Sequence, residues 1–287
     1  MATETTLRKV AESMTDGTMS VGADITDLGG NPIETNTGIG GDGAQRVYLG
    51  ENATVFQVRG SAELFSSSLL STIGSASTFN PALLSADSAI QLSSSSNSDT
   101  GIVVVYGYDS AWNEVTANYT LTGITPVTKA TLFFRINRLQ YVGAADNLGF
   151  VYASTAGATT VGGVPTSAAT YLYSMQAGYN VSQVALGTIP PEAGTWVKFR
   201  KFQATYCNNA TNYGELRWQV KRTTSTIWNT ELMIYAMKGE LSQEEYDLTG
   251  YPPLDNSNAF GHDIRVVAVG YGSGAHFGNA SVIIDII

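Results

Sequence analysis

Ile102-Val103-Val104-Val105-Tyr106-Gly107-Tyr108-Asp109, followed across Ser110-Ala111-Trp112-Asn113 by Glu114-Val115-Thr116-Ala117-Asn118-Tyr119-Thr120-Leu121, decides the fold class. The first run is continuous and β-branched, which is the composition of a buried strand. The second alternates, with Val115, Ala117, Tyr119 and Leu121 on one face and Glu114, Thr116, Asn118 and Thr120 on the other. The text between them is turn material, so the pair reads as a hairpin.

The same rhythm continues outward. Strands are predicted over 131–142 and 148–153, around a turn at Gly143-Ala144-Ala145-Asp146-Asn147. In the C-terminal half they are predicted over 171–176, 183–186, 196–206, 215–221, 230–236, 264–270 and 280–286. Breaks fall at Ile189-Pro190-Pro191-Glu192-Ala193-Gly194, at 208–214 and at Tyr251-Pro252-Pro253. Upstream, 46–60 is strand-like through Val47, Leu49, Val55 and Val58, whereas 61–73 and 242–248 read as short helices. No internal repeat of fixed period is visible. Regular short strands separated by turns predict an all-β protein, a β-sandwich of jelly-roll type with short peripheral helices.

Residues 1–45 stand apart. A short helix is expected over 5–14, and from Asp16 to Gly43 the chain is Gly, Thr, Asn and Asp with few large apolar residues, too few for a core. Val21, Ile25, Leu28, Ile33 and Ile39 form a thin series of apolar anchors. We read the segment as an extended N-terminal arm that orders against neighbouring subunits. The β-sandwich region is then 46–287, either undivided or split into 46–155 and 156–287.

Composition removes several functions. Charged residues are 14% of the 287 and the net charge is −9. No basic stripe is present to displace counterions from phosphates, so nucleic acid is not an expected partner. Lys198, Arg200, Lys201, Lys221 and Arg222 fall in strand text and read as solvated faces. One cysteine, Cys207, rules out an intrachain disulfide. No apolar run approaches membrane-spanning length, and Met1-Ala2-Thr3-Glu4-Thr5-Thr6 lacks the apolar core of a signal peptide. A soluble product made in a cytoplasm is expected.

The search for chemistry returns little. Gly38-Ile39-Gly40-Gly41-Asp42-Gly43 fits a dinucleotide fingerprint in letters, but it lacks the strand before and the helix after. No zinc spacing, phosphate-loop lysine or nucleophile elbow is found, and no two of the glutamates stand out as a glycosidase pair. His262-Asp263 reads as a turn ahead of a strand. No catalytic, cofactor or metal site is expected. Most of the aromatics read as core; where they stand exposed in loops they would form an intersubunit patch or stack on a sugar, with Trp112 and Trp228 as the candidates.

One block carries a resemblance: Ser98-Asp99-Thr100-Gly101, Val103 to Asp109, Trp112-Asn113-Glu114-Val115, Leu121-Thr122-Gly123, Pro126-Val127-Thr128, Phe134-Arg135-Ile136-Asn137-Arg138 and Asn147-Leu148-Gly149. It resembles a group of tailed-bacteriophage virion structural proteins, especially from phages of aquatic bacteria. Pro190-Pro191-Glu192-Ala193-Gly194, Leu216-Arg217-Trp218 and Asp263-Ile264-Arg265-Val266 are similar to that group's C-terminal half. The resemblance spans roughly residues 90–287 and implies a non-enzymatic virion subunit. Its partners would be the major capsid protein or tail proteins, together with further copies of itself. A head-decoration role is expected first. A tail, collar or fibre component, or a glycan-binding receptor-recognition module, is the alternative.

Overall fold

The computed structural model describes residues 54–65, 71–72, 80–191, 196–208, 213–237, 241–247, 254–255, 261–270 and 275–286. Among them every regular element is a strand. Two sandwiches are present, and one is inserted into the other.

The outer sandwich begins with β1 (Thr54–Phe65) and the two-residue β2 (Ser71–Thr72), then resumes more than a hundred residues later. Its later strands are β12 (Leu186–Ile189), β13 (Trp196–Asn208), β14 (Tyr213–Arg222), β15 (Asn229–Met237), β16 (Leu241–Asp247), β17 (Leu254–Asp255), β18 (His262–Gly270) and β19 (Ala275–Ile286). One sheet has the order β1-β19-β13-β16 and the other β12-β18-β14-β15, with β2 added on β18 and β17 on β13. If the eight principal strands are counted along the chain, the sheets read 1-8-3-6 and 2-7-4-5. That is the wrapping of an eight-stranded jelly roll.

Its core lies between the sheets. Val197, Phe199, Phe202 and Ala204 of β13 meet Leu216, Trp218 and Val220 of β14 and Ile264, Val266 and Ala268 of β18. The β13 residues do not keep strict alternation, because the register slips between Phe199 and Lys201. That bulge lets Phe199 and Phe202 both face inward. Phe199 meets the Trp218 indole edge-on at 4.5 Å between ring centroids, and Phe202 stacks on it at 6.3 Å.

The insert fills the connection between the first and second jelly-roll strands. Its elements are β3 (Ser88–Ser94), β4 (Ile102–Tyr108), β5 (Glu114–Thr120), β6 (Val127–Phe133), β7 (Arg135–Val142), β8 (Val151–Thr155), β9 (Thr160–Val161), β10 (Val164–Pro165) and β11 (Tyr171–Met175). Its sheets run β11-β8-β3-β6 and β5-β4-β7, with β9 and β10 forming a small separate ribbon. The predicted hairpin is present as β4–β5, in the register Ile102 to Thr120 through Tyr108 to Glu114.

Numbered 3 to 8 and then 1, the insert strands follow the same jelly-roll wrapping with relocated ends. The missing second strand would flank β7, and the chain leading into β12 runs there. The Tyr141 amide donates to the Asn180 carbonyl at 2.7 Å and the Ser182 amide to the Leu139 carbonyl at 2.9 Å. One continuous stretch therefore serves both sandwiches. Val184 and Leu186 sit in the insert core, while Ala185 and Ile189 sit in the outer one.

Sequence expectation and structure differ at two places. The 61–73 helix is not formed over its first residues, which extend β1 and pair with Ala275 to Asn279 of β19. The 242–248 helix is instead β16, paired with Lys201 to Cys207. Both stretches are too short for a helix to hold alone, whereas an adjoining long strand offers every backbone group a partner. β1 pairs with β19, so the outer sandwich draws on both ends of 46–287. The 5–14 helix and the arm lie outside the described residues.

Close packing requires the glycine at 107. A Cβ on Gly107 would overlap the Arg135 carbonyl oxygen at the point where the β4–β7 register shifts. No side chain fits there.

Burial also sets an alkaline limit. Tyr119 and Tyr152 are buried, and desolvation pushes both phenols up to about 12, with neighbouring Tyr171 adding at Tyr152. A raised folded-state value leaves stability intact below the ordinary phenol value of 10 and removes it as pH climbs towards 12. Tyrosinate absorbance is expected to rise in two stages, exposed phenols first and the buried ones together with loss of β-sheet circular dichroism. A single stage near pH 10 would contradict their burial.

Candidate functional site

Two constructions stand out, one where the sandwiches meet and one at the far end of the insert.

At the junction, Arg135 opens β7 and reaches Asp263 of the outer sandwich. Its Nε donates to Oδ1 at 2.9 Å and its Nη2 to Oδ2 at 3.1 Å, a bidentate pair buried on both sides. Nη1 donates to the carbonyls of Leu84 and Phe134. Asp263 also accepts from Thr188 Oγ1 at 2.7 Å and pairs with Lys221 Nζ at 3.1 Å. Lys221 donates in turn to the Ser225 carbonyl. One buried carboxylate thus ties β7, β12, β14 and β18.

Two cations share that anion. Burial pushes the Lys221 ammonium below the ordinary lysine value, against the pull of Asp263. Nearby Arg265 is pushed down to about 10 by burial, donates to Gln219 Oε1 and stacks at 4.0 Å on the Trp228 ring. Lys221 lies 5.4 Å from the same ring, so the indole carries part of the cationic load. Asn137 and Thr188 add a reciprocal amide pair across the seam.

At the far end, four connections are bound together. Asp99 is buried and accepts the amides of Leu148 and Gly149 at 2.8 and 2.9 Å and the Ser94 hydroxyl at 2.5 Å. Its own carbonyl accepts the Gly123 amide. Asn147 and Asn180 exchange amide-to-side-chain bonds in both directions. Asn147 Nδ2 donates to Gly149 and Gln176 carbonyls, both at 2.8 Å. The Asp99 and Asn147 stretches singled out in the sequence are therefore loop locks. They satisfy backbone groups and present no reactive atom.

Of the residues predicted to form a docking surface, Trp112 and Trp228 both pack within the chain. Trp112 sits in the β4–β5 turn at φ 67°, 5.3 Å edge-on from Phe134 and 6.3 Å from Tyr108. Trp228 is half-buried between Lys221 and Arg265 and packs on the insert core. Val21, Ile25, Leu28, Ile33 and Ile39 lie outside the described residues. His262 and Asp263, read as a turn, both belong to β18 and both are buried.

A pocket of about 230 Å³ opens at the end of the outer sandwich beside the junction. Its lining sets Lys221, Arg222 and His262 beside Glu231 and Asn229, over Val220 and Leu254. Among the described residues no group of three or more His, Cys, Asp or Glu side chains is placed to hold a metal ion.

Arg135, Asp99 and Asn147 were missed as site residues. For Arg135 a signal existed: an arginine between Phe134 and Ile136 in strand text needs a buried partner or an exposed face.

The fold and these two locks define an all-β protein built from two fused jelly rolls. No protein-family model matches the chain, and no curated protein matches it. Among solved structures it aligns with "Structure of infectious bursal disease virus Gt strain" at 10% identity and a TM-score of 0.18, over 82% of this chain and 71% of that one. At that TM-score the alignment carries no information on fold or role.

Proposed function

We propose that the chain is a non-enzymatic structural subunit of a tailed-phage particle, and that it decorates the head. The observation that supports this reading is the jelly roll carrying a second jelly roll fastened by a buried ion cluster, an architecture suited to assembly. The jelly roll recurs in viral shell domains and also in lectins, so the fold supports the role by analogy alone. The sequence resemblance around Asp99 to Asn147 adds to it. The partners are then the major capsid protein and further copies of the chain, in the virion, after assembly in the host cytoplasm.

The test is binding to expanded empty capsids. The full chain is expected to bind stoichiometrically, and a chain lacking residues 1–45 to stay folded but fail to bind. Capture of host polysaccharide without capsid binding would favour a glycan-binding module instead. Release of reducing sugars by the purified protein would overturn the non-enzymatic reading.

A further inference from the structure

The pocket beside the junction opens at one end of the outer sandwich, between its two sheets. Val220, Asn229 and Glu231 come from the paired strands β14 and β15, and Leu254 comes from β17 on the facing sheet. Strand alternation turns Arg222 the same way as Val220 and His262 the same way as Ile264, and both of those partners lie in the outer core. Arg222 and His262 stand opposite one another in the β14–β18 register. Arg222 is exposed, whereas His262 is 4% exposed. The pocket therefore has an apolar floor, an imidazole in its wall and a guanidinium at its rim.

Positive charge is in excess around it. Among the described residues Arg222 forms no ion pair, so its guanidinium donors are open to a ligand. On the opposite face of β14, one residue away, Lys221 shares the single carboxylate of Asp263 with Arg135, and Arg265 lies close by. Burial first, and then the charges of Arg135 and Arg265, hold the Lys221 ammonium below its ordinary value against the pull of Asp263. Glu231 is the one carboxylate of the lining. An oxyanion entering here gains charge-assisted hydrogen bonds in a half-buried setting, where they are stronger than in water.

We infer that this pocket binds a small hydroxylated oxyanion, a carboxylate or phosphate carried on a polyol, with its anionic head on Arg222 and its carbon frame over Val220 and Leu254. The volume of about 230 Å³ is below the ~300–1,000 Å³ of clefts for drug-sized ligands, so the occupant is a single sugar-sized unit. Glu231 and Asn229 select hydroxyls, because a carboxylate accepts from them and a carboxamide both donates and accepts. A bare inorganic anion offers Glu231 nothing, and a neutral sugar leaves Arg222 without a counter-charge.

Proton NMR of the full chain tests this, because His262 and His276 are its two histidines and report separately. His276 pairs with Asn208 at the other end of β13 from Val197, the partner of Leu254, and is the internal reference. The probes are glucuronate, glucose 6-phosphate and glucose. Glucuronate, glucose 6-phosphate or both should shift the His262 imidazole signal saturably, and glucose should not. A response to one anion alone identifies carboxylate or phosphate as the head group, and a response to both makes the shared charge the determinant. Arg222→Gln should weaken binding roughly tenfold or more, as loss of a charge-assisted bond does, with unchanged thermal midpoint because the side chain is exposed. Lys129→Gln, which removes an exposed cation on the insert, should leave binding unaltered. No saturable shift with either anion, equal binding of glucose, full binding by Arg222→Gln, or equal loss on Lys129→Gln would each overturn the inference. Capsid binding enters none of these readouts, so the inference and the decoration role can fail separately.

Discussion

Asp263→Ala is expected to cost about 3–5 kcal/mol, because it leaves Arg135 and Lys221 buried without their shared carboxylate. The loss should be visible as a change of mechanism as well as of midpoint. The carboxylate ties β7 of the insert to β14 and β18 of the outer sandwich, so without it the two cores lose their common fastening. Calorimetry should then resolve two unfolding transitions where the wild type shows one. Removing all three charges together, with Arg135→Met, Lys221→Met and Asp263→Leu, should recover most of the lost stability, since an apolar replacement carries no desolvation cost. A loss under ~1 kcal/mol for Asp263→Ala would mean the cluster is a solvated surface pair.

Asp99→Ala carries the second largest expected effect. It strips the acceptor from two buried amides and a hydroxyl, each orphaned donor costing ~1–3 kcal/mol before water repays part of it. We expect a net loss of about 3 kcal/mol and a fall in Tm of about 10 °C. Asp99→Asn keeps one acceptor oxygen and should fall between. Hydrogen exchange at Leu148 and Gly149 is the local check, because those amides should become the fastest-exchanging of the insert core. Unchanged protection there would show that the carboxylate does not hold the loop.

How far the sequence revealed this molecule follows from where each feature draws its stability. The β4–β5 hairpin was legible because alternation and turn chemistry are local, and Val103, Val105, Ala117 and Tyr119 are buried as their spacing requires. β16 was misread because Ser242 to Leu248 has weak helical text, while its strand state depends on β13, a partner distant in sequence. The interleaving of the two jelly rolls was invisible for the same reason. Thr54 pairs with Ile286, and nothing near either residue announces the other.

The locks were half legible. Asp99, Asn147, Arg135 and Asp263 all fall in stretches quoted for the family resemblance, yet their roles depend on contacts at sequence separations of 50 and 128 residues. Trp112 and Trp228 each pack on a neighbour, Phe134 and Arg265 respectively, and each stays part-exposed.

The most direct measurement of the central proposal is the copy number of this chain in purified phage particles, by quantitative mass spectrometry against the major capsid protein. Head decoration predicts hundreds of copies per particle in a fixed ratio to the shell subunit. A dozen or fewer would place the protein on the tail, and its absence from purified particles would contradict a virion role altogether.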